Sequence, residues 1–229
     1  MALTASDVLT RAADIIQDQT NVRWPQDELL RYLNDARREI SIARPDLYAT
    51  TSTVTLTAGG TRYALPTDGV RLIDVTRNMP AGTPGKAIRV VEREILDAQK
   101  PDWHTETASA IIKHFMYDER NPRQYYVYPP ATAGHQIEIV YGQTPTDITT
   151  GSISSTQLTQ EDIYTGAIVD YVCYRAFSKD SEYAGNAQRA QAHYTQFMNA
   201  LGLGNKVNQI TSPNTANIGG RPPRAAAAG

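Results

Sequence analysis

Two consecutive amphipathic segments within residues 159–203 constrain this chain most. In the first, Ile163, Ala167, Tyr171 and Tyr174 recur at steps of four, four and three, which is one face of a helix. Ile168, Val172, Cys173 and Ala176 add apolar groups on its other sides, so this helix is expected to be buried over most of its surface. Thr159, with Asp162 three residues on, reads as a capping-box-like start. Ser178-Lys179-Asp180-Ser181 interrupts the pattern. The second segment carries Tyr183, Ala187, Ala190, Tyr194, Phe197 and Leu201, a heptad-like row suited to helix-on-helix packing. Gly202 is a natural stop. Two such faces cannot cover each other completely, so other helices must.

The N-terminal segment supplies them. Ser6 and Asp7 open a short helix with Val8, Leu9, Ala12, Ile15 and Ile16 inward, and Thr20-Asn21 ends it. Trp24-Pro25 starts a second helix, because proline's missing N–H has no partner in a first turn. Asp27 and Glu28 then suit the helix dipole. Leu29, Leu30, Leu33, Ala36 and Ile40 form its apolar stripe, and Arg44-Pro45 closes it. Arg31, Arg37 and Arg38 fall largely outside the stripe. They read as a solvated face balanced by Asp35 and Glu39, with an intersubunit salt-bridge patch as the functional alternative. These two helices and the C-terminal pair can complete a four-helix bundle.

Between the pairs the period changes to two. Val54 and Leu56 alternate with threonines in a half-buried strand over 51–57. Ala58-Gly59-Gly60-Thr61 is a hairpin signal, followed by a returning strand at 62–65. Further strands are expected at 70–75, 88–91, 110–117, 124–128 and 136–141, with a brief helix at 92–99. Helices, strands and helices in blocks argue an α+β fold: a helical bundle from the two chain ends with an inserted antiparallel β-module. The expected divisions are residues 1–48 and 158–203 for the bundle, 49–157 for the β-module, and 204–229 for an extended, flexible tail. In that tail Asn, Gly, Pro, Thr and Ala dominate, and Lys206, Arg221 and Arg224 are the only charges.

The net charge of −2 gives no overall grip on nucleic acid. A single Cys excludes an intrachain disulfide and an all-Cys metal site. No apolar run approaches a membrane span, and the N-terminus lacks a basic-then-apolar signal segment, so the chain is expected to be made in the cytoplasm. Thirteen Tyr against three Phe favours half-buried surfaces, where an apolar ring keeps a wet hydroxyl. Phosphate-loop, dinucleotide and His-Glu-x-x-His patterns are missing. His104, Glu106 and His114 are a possible metal cluster, but their spacing fits no template and a solvated loop plus a strand histidine explains them. Cys173, inside an apolar helix, reads as a core residue rather than a nucleophile. Arg120-Asn121-Pro122-Arg123-Gln124-Tyr125-Tyr126-Val127-Tyr128 mixes Arg and Tyr as single-strand binders do, against the plainer reading of cross-strand packing. No cofactor is expected.

Four stretches together resemble the head-to-tail adaptor (connector, or head completion) proteins of short-tailed bacteriophages. They are Trp24-Pro25-Gln26-Asp27-Glu28-Leu29-Leu30-Arg31-Tyr32-Leu33-Asn34-Asp35-Ala36, Tyr63-Ala64-Leu65-Pro66-Thr67-Asp68-Gly69-Val70-Arg71-Leu72-Ile73-Asp74-Val75, Asn121-Pro122-Arg123-Gln124-Tyr125-Tyr126-Val127-Tyr128-Pro129-Pro130, and the helical pair from Glu161 that includes Tyr174-Arg175-Ala176-Phe177-Ser178-Lys179-Asp180. The resemblance implies a structural protein of the virion neck and no enzyme. It implies a dodecameric ring beneath the portal protein that joins capsid to tail and conducts double-stranded DNA without reading it. It also implies a C-terminal extension that docks on the portal or a neighbouring subunit, with tail or nozzle proteins on the other side. Candidate portal or subunit contacts are Asn205, Lys206, Val207, Ile210, Ile218, Arg221 and Arg224 in the tail, and Arg31, Arg37 and Arg38 in the second helix. The alternatives are a gatekeeper or tail-tube protein of the same particle, and a cell-wall hydrolase using acids such as Asp102, Glu106, Glu161 or Asp162.

Overall fold

The computed structural model of the chain describes residues 3–159, 161–180, 182–183 and 185–211. The fold is α+β. It divides into two compact units, one formed by Met1–Arg37 with Ile148–Gly229 and the other by Arg38–Asp147. The expected division at residues 48 and 158 thus moves about ten residues toward the N-terminus at both junctions. The first junction falls inside a helix, and the second at Ile148, where the chain becomes tied to that helix.

In the helical unit, α1 (Ala5–Ile16) starts from a complete capping box, with the Thr4 hydroxyl accepting from the Asp7 N–H and Asp7 accepting from the Thr4 N–H. Its stripe Val8, Leu9, Ala12, Ala13 and Ile16 is buried, while Ile15 is exposed. The second helix, α2 (Gln26–Ala43), follows Pro25, whose carbonyl accepts from the Glu28 and Leu29 N–H groups. Leu29, Leu30, Leu33, Ala36 and Ile40 are all buried, as their spacing dictates.

After the β unit the chain returns to α2 at two points. Asn34 exchanges two 3.0 Å hydrogen bonds with the backbone of Ile148. Further along, the Arg37 Nε donates to Glu161 Oε1 at 2.8 Å, with the two side chains 11% and 3% exposed. Residues 153–158 run beside the start of α1, with the Ala5 N–H on the Thr156 carbonyl and the Leu158 N–H on the Leu3 carbonyl.

The two C-terminal helices are α4 (Thr165–Lys179) and α5 (Asn186–Thr211). Among the described residues no capping box forms at Thr159. Asp162–Tyr164 makes a 3-10 turn instead, α4 begins after it, and Ile163 projects into solvent. The helix α4 is buried on most sides, through Ala167, Ile168, Val169, Tyr171, Val172, Cys173, Ala176 and Phe177. Helix α5 packs on it along Ala190, Phe197 and Leu201, with the Phe197 ring edge-on to Tyr171 at 5.0 Å and His193 bonded to Asp170 at 2.8 Å. Helix α5 does not stop at Gly202: it continues through Gly204 to Thr211. A helical glycine costs only about 1 kcal/mol relative to alanine, and the buried Leu201 holds the turn that contains it.

The β unit holds two sheets. In the first, β1 (Ala49–Thr55), β7 (Gln136–Gln143) and β3 (Gly69–Asn78) lie in the order β1-β7-β3, all antiparallel. In the second, β2 (Arg62–Ala64), β6 (Gln124–Tyr128), β5 (His114–Tyr117) and β4 (Arg89–Val90) follow the order β2-β6-β5-β4. The β4–β5 pair is parallel, so the unit is not wholly antiparallel. The sequence Ala58-Gly59-Gly60-Thr61 does turn, with Gly59 at a φ of +67°, but it makes no hairpin. Its flanking strands belong to different sheets, because β1 pairs with β7 and β2 with β6. The turn is secured instead by the Ala131 backbone.

Leu56, Leu72, Val75, Ile137 and Ile139 meet Ile112, Phe115, Tyr125 and Val127 in one buried core. The short helix α3 (Arg93–Gln99) contributes Leu96 to a second cluster with Trp103, Met116 and Tyr128. The expected strand at 110–117 is only its last four residues long. Its first half is held by the buried Asn78, whose amide bonds both the N–H and the carbonyl of Ile112, and whose Oδ1 also meets His135 Nε2 at 2.8 Å.

The Arg37–Glu161 pair generates a stability test. Removing one partner of a buried pair costs about 3–5 kcal/mol, whereas replacing both by apolar groups is often neutral. Urea unfolding of Arg37→Met should show a loss of that size, and Arg37→Met/Glu161→Leu should recover most of it. A loss below about 1 kcal/mol in the single variant contradicts the assignment.

Candidate interaction surfaces

Several of the side chains that could have served catalysis, Glu106 and Glu161 among the acids, have structural partners. Glu106 accepts from Lys100 Nζ at 2.8 Å and from the Tyr128 hydroxyl at 3.0 Å, and Lys100 foremost holds its carboxyl below the usual range. His104 stacks on Trp103 and meets the Thr61 hydroxyl at 2.8 Å, while His114 stacks on Tyr128. Among the described residues no group of three or more His, Cys, Asp or Glu converges as a metal site. Burial pushes the Cys173 thiol up to about 12, with the nearby Asp170 charge adding to it. A thiol so shifted is not a nucleophile at neutral pH. Glu161 is occupied by Arg37.

The Arg/Tyr run of β6 is no stacking platform. Tyr125 and Tyr128 are buried, and Tyr126 lies under the Arg93 guanidinium. Across the strands Tyr125 faces Tyr63 and Tyr117, and Tyr128 faces His114. These are the cross-strand contacts that stabilise a sheet.

The three arginines of α2 do not form one surface. Arg31 is exposed. Arg38 pairs with Asp147 in the β unit, both well exposed. Arg37 is buried, which corrects its reading as part of a solvated face. It falls four residues after Leu33 and three before Ile40, inside the apolar stripe, and that spacing was the available signal. In the tail, Asn205, Lys206, Val207 and Ile210 fall on the last turns of α5 rather than in an extended segment. Ile218, Arg221 and Arg224 lie outside the described residues.

Sequence reasoning missed the junction between the two helix pairs. Asp18 accepts three backbone N–H bonds, from Val22 at 3.0 Å and from Arg23 and Trp24 at 2.9 Å. These fix the loop before α2. Trp24, thus placed, donates its indole N–H to the Ala176 carbonyl of α4 at 3.2 Å. Arg23 pairs with Asp180 at the turn into α5, and its guanidinium lies 4.9 Å from the Trp24 ring and 4.7 Å from the Tyr183 ring. Lys179 of α4 bonds Glu28 of α2 at 2.7 Å, and Arg175 lies over Tyr32. The α4–α5 turn is therefore clamped to the entrance of α2. The run Asp18-Gln19-Thr20-Asn21-Val22-Arg23-Trp24 is mostly polar and unremarkable in sequence, and only Asp18's position before a helix start hinted at its role.

The helical unit exposes several large apolar groups, notably Val22, Ile163, Tyr183 and Met198. Among the described residues no helix is long and apolar enough to cross a membrane. These features describe an α+β protein in which several chemistry-bearing side chains are engaged in internal contacts and a few large apolar side chains remain exposed. The family model described as SU10 adaptor protein matches residues 3–218. The chain belongs to that family, in agreement with its resemblance to phage head-to-tail adaptors. Membership gives it a structural adaptor role in a phage particle. A comparison with curated proteins returned no match.

The clamp predicts an acid-sensitive helical unit. The Trp24 N–H, with those of Val22 and Arg23, lowers the Asp18 carboxyl; the Thr4 hydroxyl lowers Asp7; Lys179, then Tyr32, lowers Glu28. A carboxyl depressed in the folded state adds stability above its unfolded pKa, about 3.9 for Asp and 4.3 for Glu, and that stability is lost as pH falls through the folded value. Thermal melts should therefore drop as pH is lowered through that range, and Asp18→Asn should make the drop shallower. A variant as acid-sensitive as the parent contradicts the assignment.

Proposed function

We propose that this protein is the head-to-tail adaptor of a tailed phage: a ring of copies bound beneath the portal protein, joining capsid to tail and giving passage to double-stranded DNA. Family membership across residues 3–218 carries the reading. The fold supports it. Helices from both chain ends make one unit that can serve as the ring body, and the β unit is a separate compact module free to contact tail-side proteins. The slightly acidic composition suits a conduit, because a channel for DNA must not hold its cargo by phosphate contacts.

In this reading Asn205, Lys206, Val207 and Ile210, on the last turns of α5, and the following Ile218, Arg221 and Arg224 reach the portal. Arg31 and Arg38, which are solvent-accessible, are candidates for contacts between subunits; Arg37 serves only by shaping α2. The number of copies is taken to be twelve by resemblance to other adaptors.

Electron cryomicroscopy of the protein mixed with the portal of its phage tests the proposal. The expected result is a ring of this chain seated on the portal, with density for the residues after Thr211 on the portal surface. Density that joins tail proteins but never the portal contradicts it and favours a gatekeeper or tail-tube role.

A further inference from the structure

Helix α5 spans Asn186–Thr211, and among its described side chains, up to Gly202, only the narrow stripe Ala190, Phe197 and Leu201 is buried. A second stripe runs beside it. Gln188, Gln191, Thr195, Met198 and Gly202 follow steps of three, four, three and four, the spacing of a helix-packing seam, and all five are exposed. The seam carries no charge. The Thr195 hydroxyl donates to the Gln191 carbonyl at 2.8 Å within the helix, which turns the methyl group outward. A methyl group added at Gly202 would meet nothing within 4 Å, so packing in the subunit gives no reason for a glycine inside this helix. Glycine there does allow another backbone to come close. By contrast, the outward faces of α1 and α2 carry Asp7, Arg11 and Asp14, and Asp27 and Arg31. Charge depletion with a central Met is the composition of an interface core.

The charge pattern says what fits the seam. All 24 Asp and Glu of the chain precede Tyr183, alongside 18 of the 22 Lys and Arg; the remaining four, Arg189, Lys206, Arg221 and Arg224, have no carboxylate among them. The chain is thus polarised along its sequence, net acidic before Tyr183 and purely cationic after it. A surface of this kind is not complementary to itself, but it is complementary to the body of another copy. That favours head-to-tail contacts, which close into rings, over two-fold ones. Duplex DNA is a poorer occupant. Two cations along α5 are few for a phosphate-binding helix, and the seam itself has none.

We propose that the seam of α5 packs against the acid-bearing body of the neighbouring copy. This inference rests on the ring reading and names the surface that builds the ring. The test uses the full chain, alone and with its portal, by native mass spectrometry and sedimentation velocity at low and high salt. Met198→Glu and Thr195→Glu place an acid on the seam at exposed positions, so helix content and melting temperature should stay at the parent's values. Association between copies should weaken about tenfold or more, and most at low salt. Gln196→Glu, which makes the same charge change on another exposed side of α5, should assemble like the parent. Rings that form equally well with the seam variants overturn the inference and leave the adaptor reading standing. So does equal damage from Gln196→Glu, which would reduce the effect to net charge. A parent chain that stays monomeric both alone and with the portal overturns both readings.

Discussion

The helical unit depends on the return of the chain to α2. After the β unit, Ile148 lands on Asn34 and Glu161 lands on Arg37, contacts that close loops of 114 and 124 residues. Loop closure of that length costs entropy, but only logarithmically in length. The two contacts also set direction. They deliver the chain to the start of α4, which packs on α1 and buries Ala167, Ile168 and Val172. The buried ion pair contributes more to this specificity than to net stability, since desolvation offsets most of its attraction.

A second fastening acts at the far end of the same helices. Asp18 shapes a loop, the loop aims Trp24 and Arg23, and those side chains hold the end of α4 and the turn into α5. Among the described residues α5 packs on α4 through Ala190, Phe197 and Leu201, while Gln188, Gln191, Thr195, Met198 and Gly202 are exposed. An adaptor needs such a division, with a body rigid enough to define angles in an assembly and surface helices able to carry the contacts.

Local periodicity made much of this legible. The stripes of α1 and α2, the Ala190-Phe197-Leu201 row of α5 and the strands at 124–128 and 136–143 follow from side-chain spacing, because each element buries one face. What failed was non-local. Thr159 and Asp162 match a capping box, yet Glu161 between them is drawn to Arg37 and the helix begins only at Thr165. The Gly59-Gly60 turn matches a hairpin, yet β7 claims β1 and β6 claims β2. Gly202 matches a stop, but the neighbouring Leu201 is buried and holds the helix there. For the surface, the Arg31/Arg37/Arg38 cluster drew attention by charge, while the uncharged seam of α5 went unseen. Absence of charge becomes informative only once the structure says which residues are exposed.

Helices α1, α2 and α4 form one cooperative body closed by α2, not two helical hairpins that happen to touch. Native-state hydrogen exchange across sublethal denaturant measures this directly. The slow amides of α1, α2 and α4 should merge into a single opening free energy, with the β unit free to differ. Protection that persists in α4 after α1 and α2 have opened would contradict it.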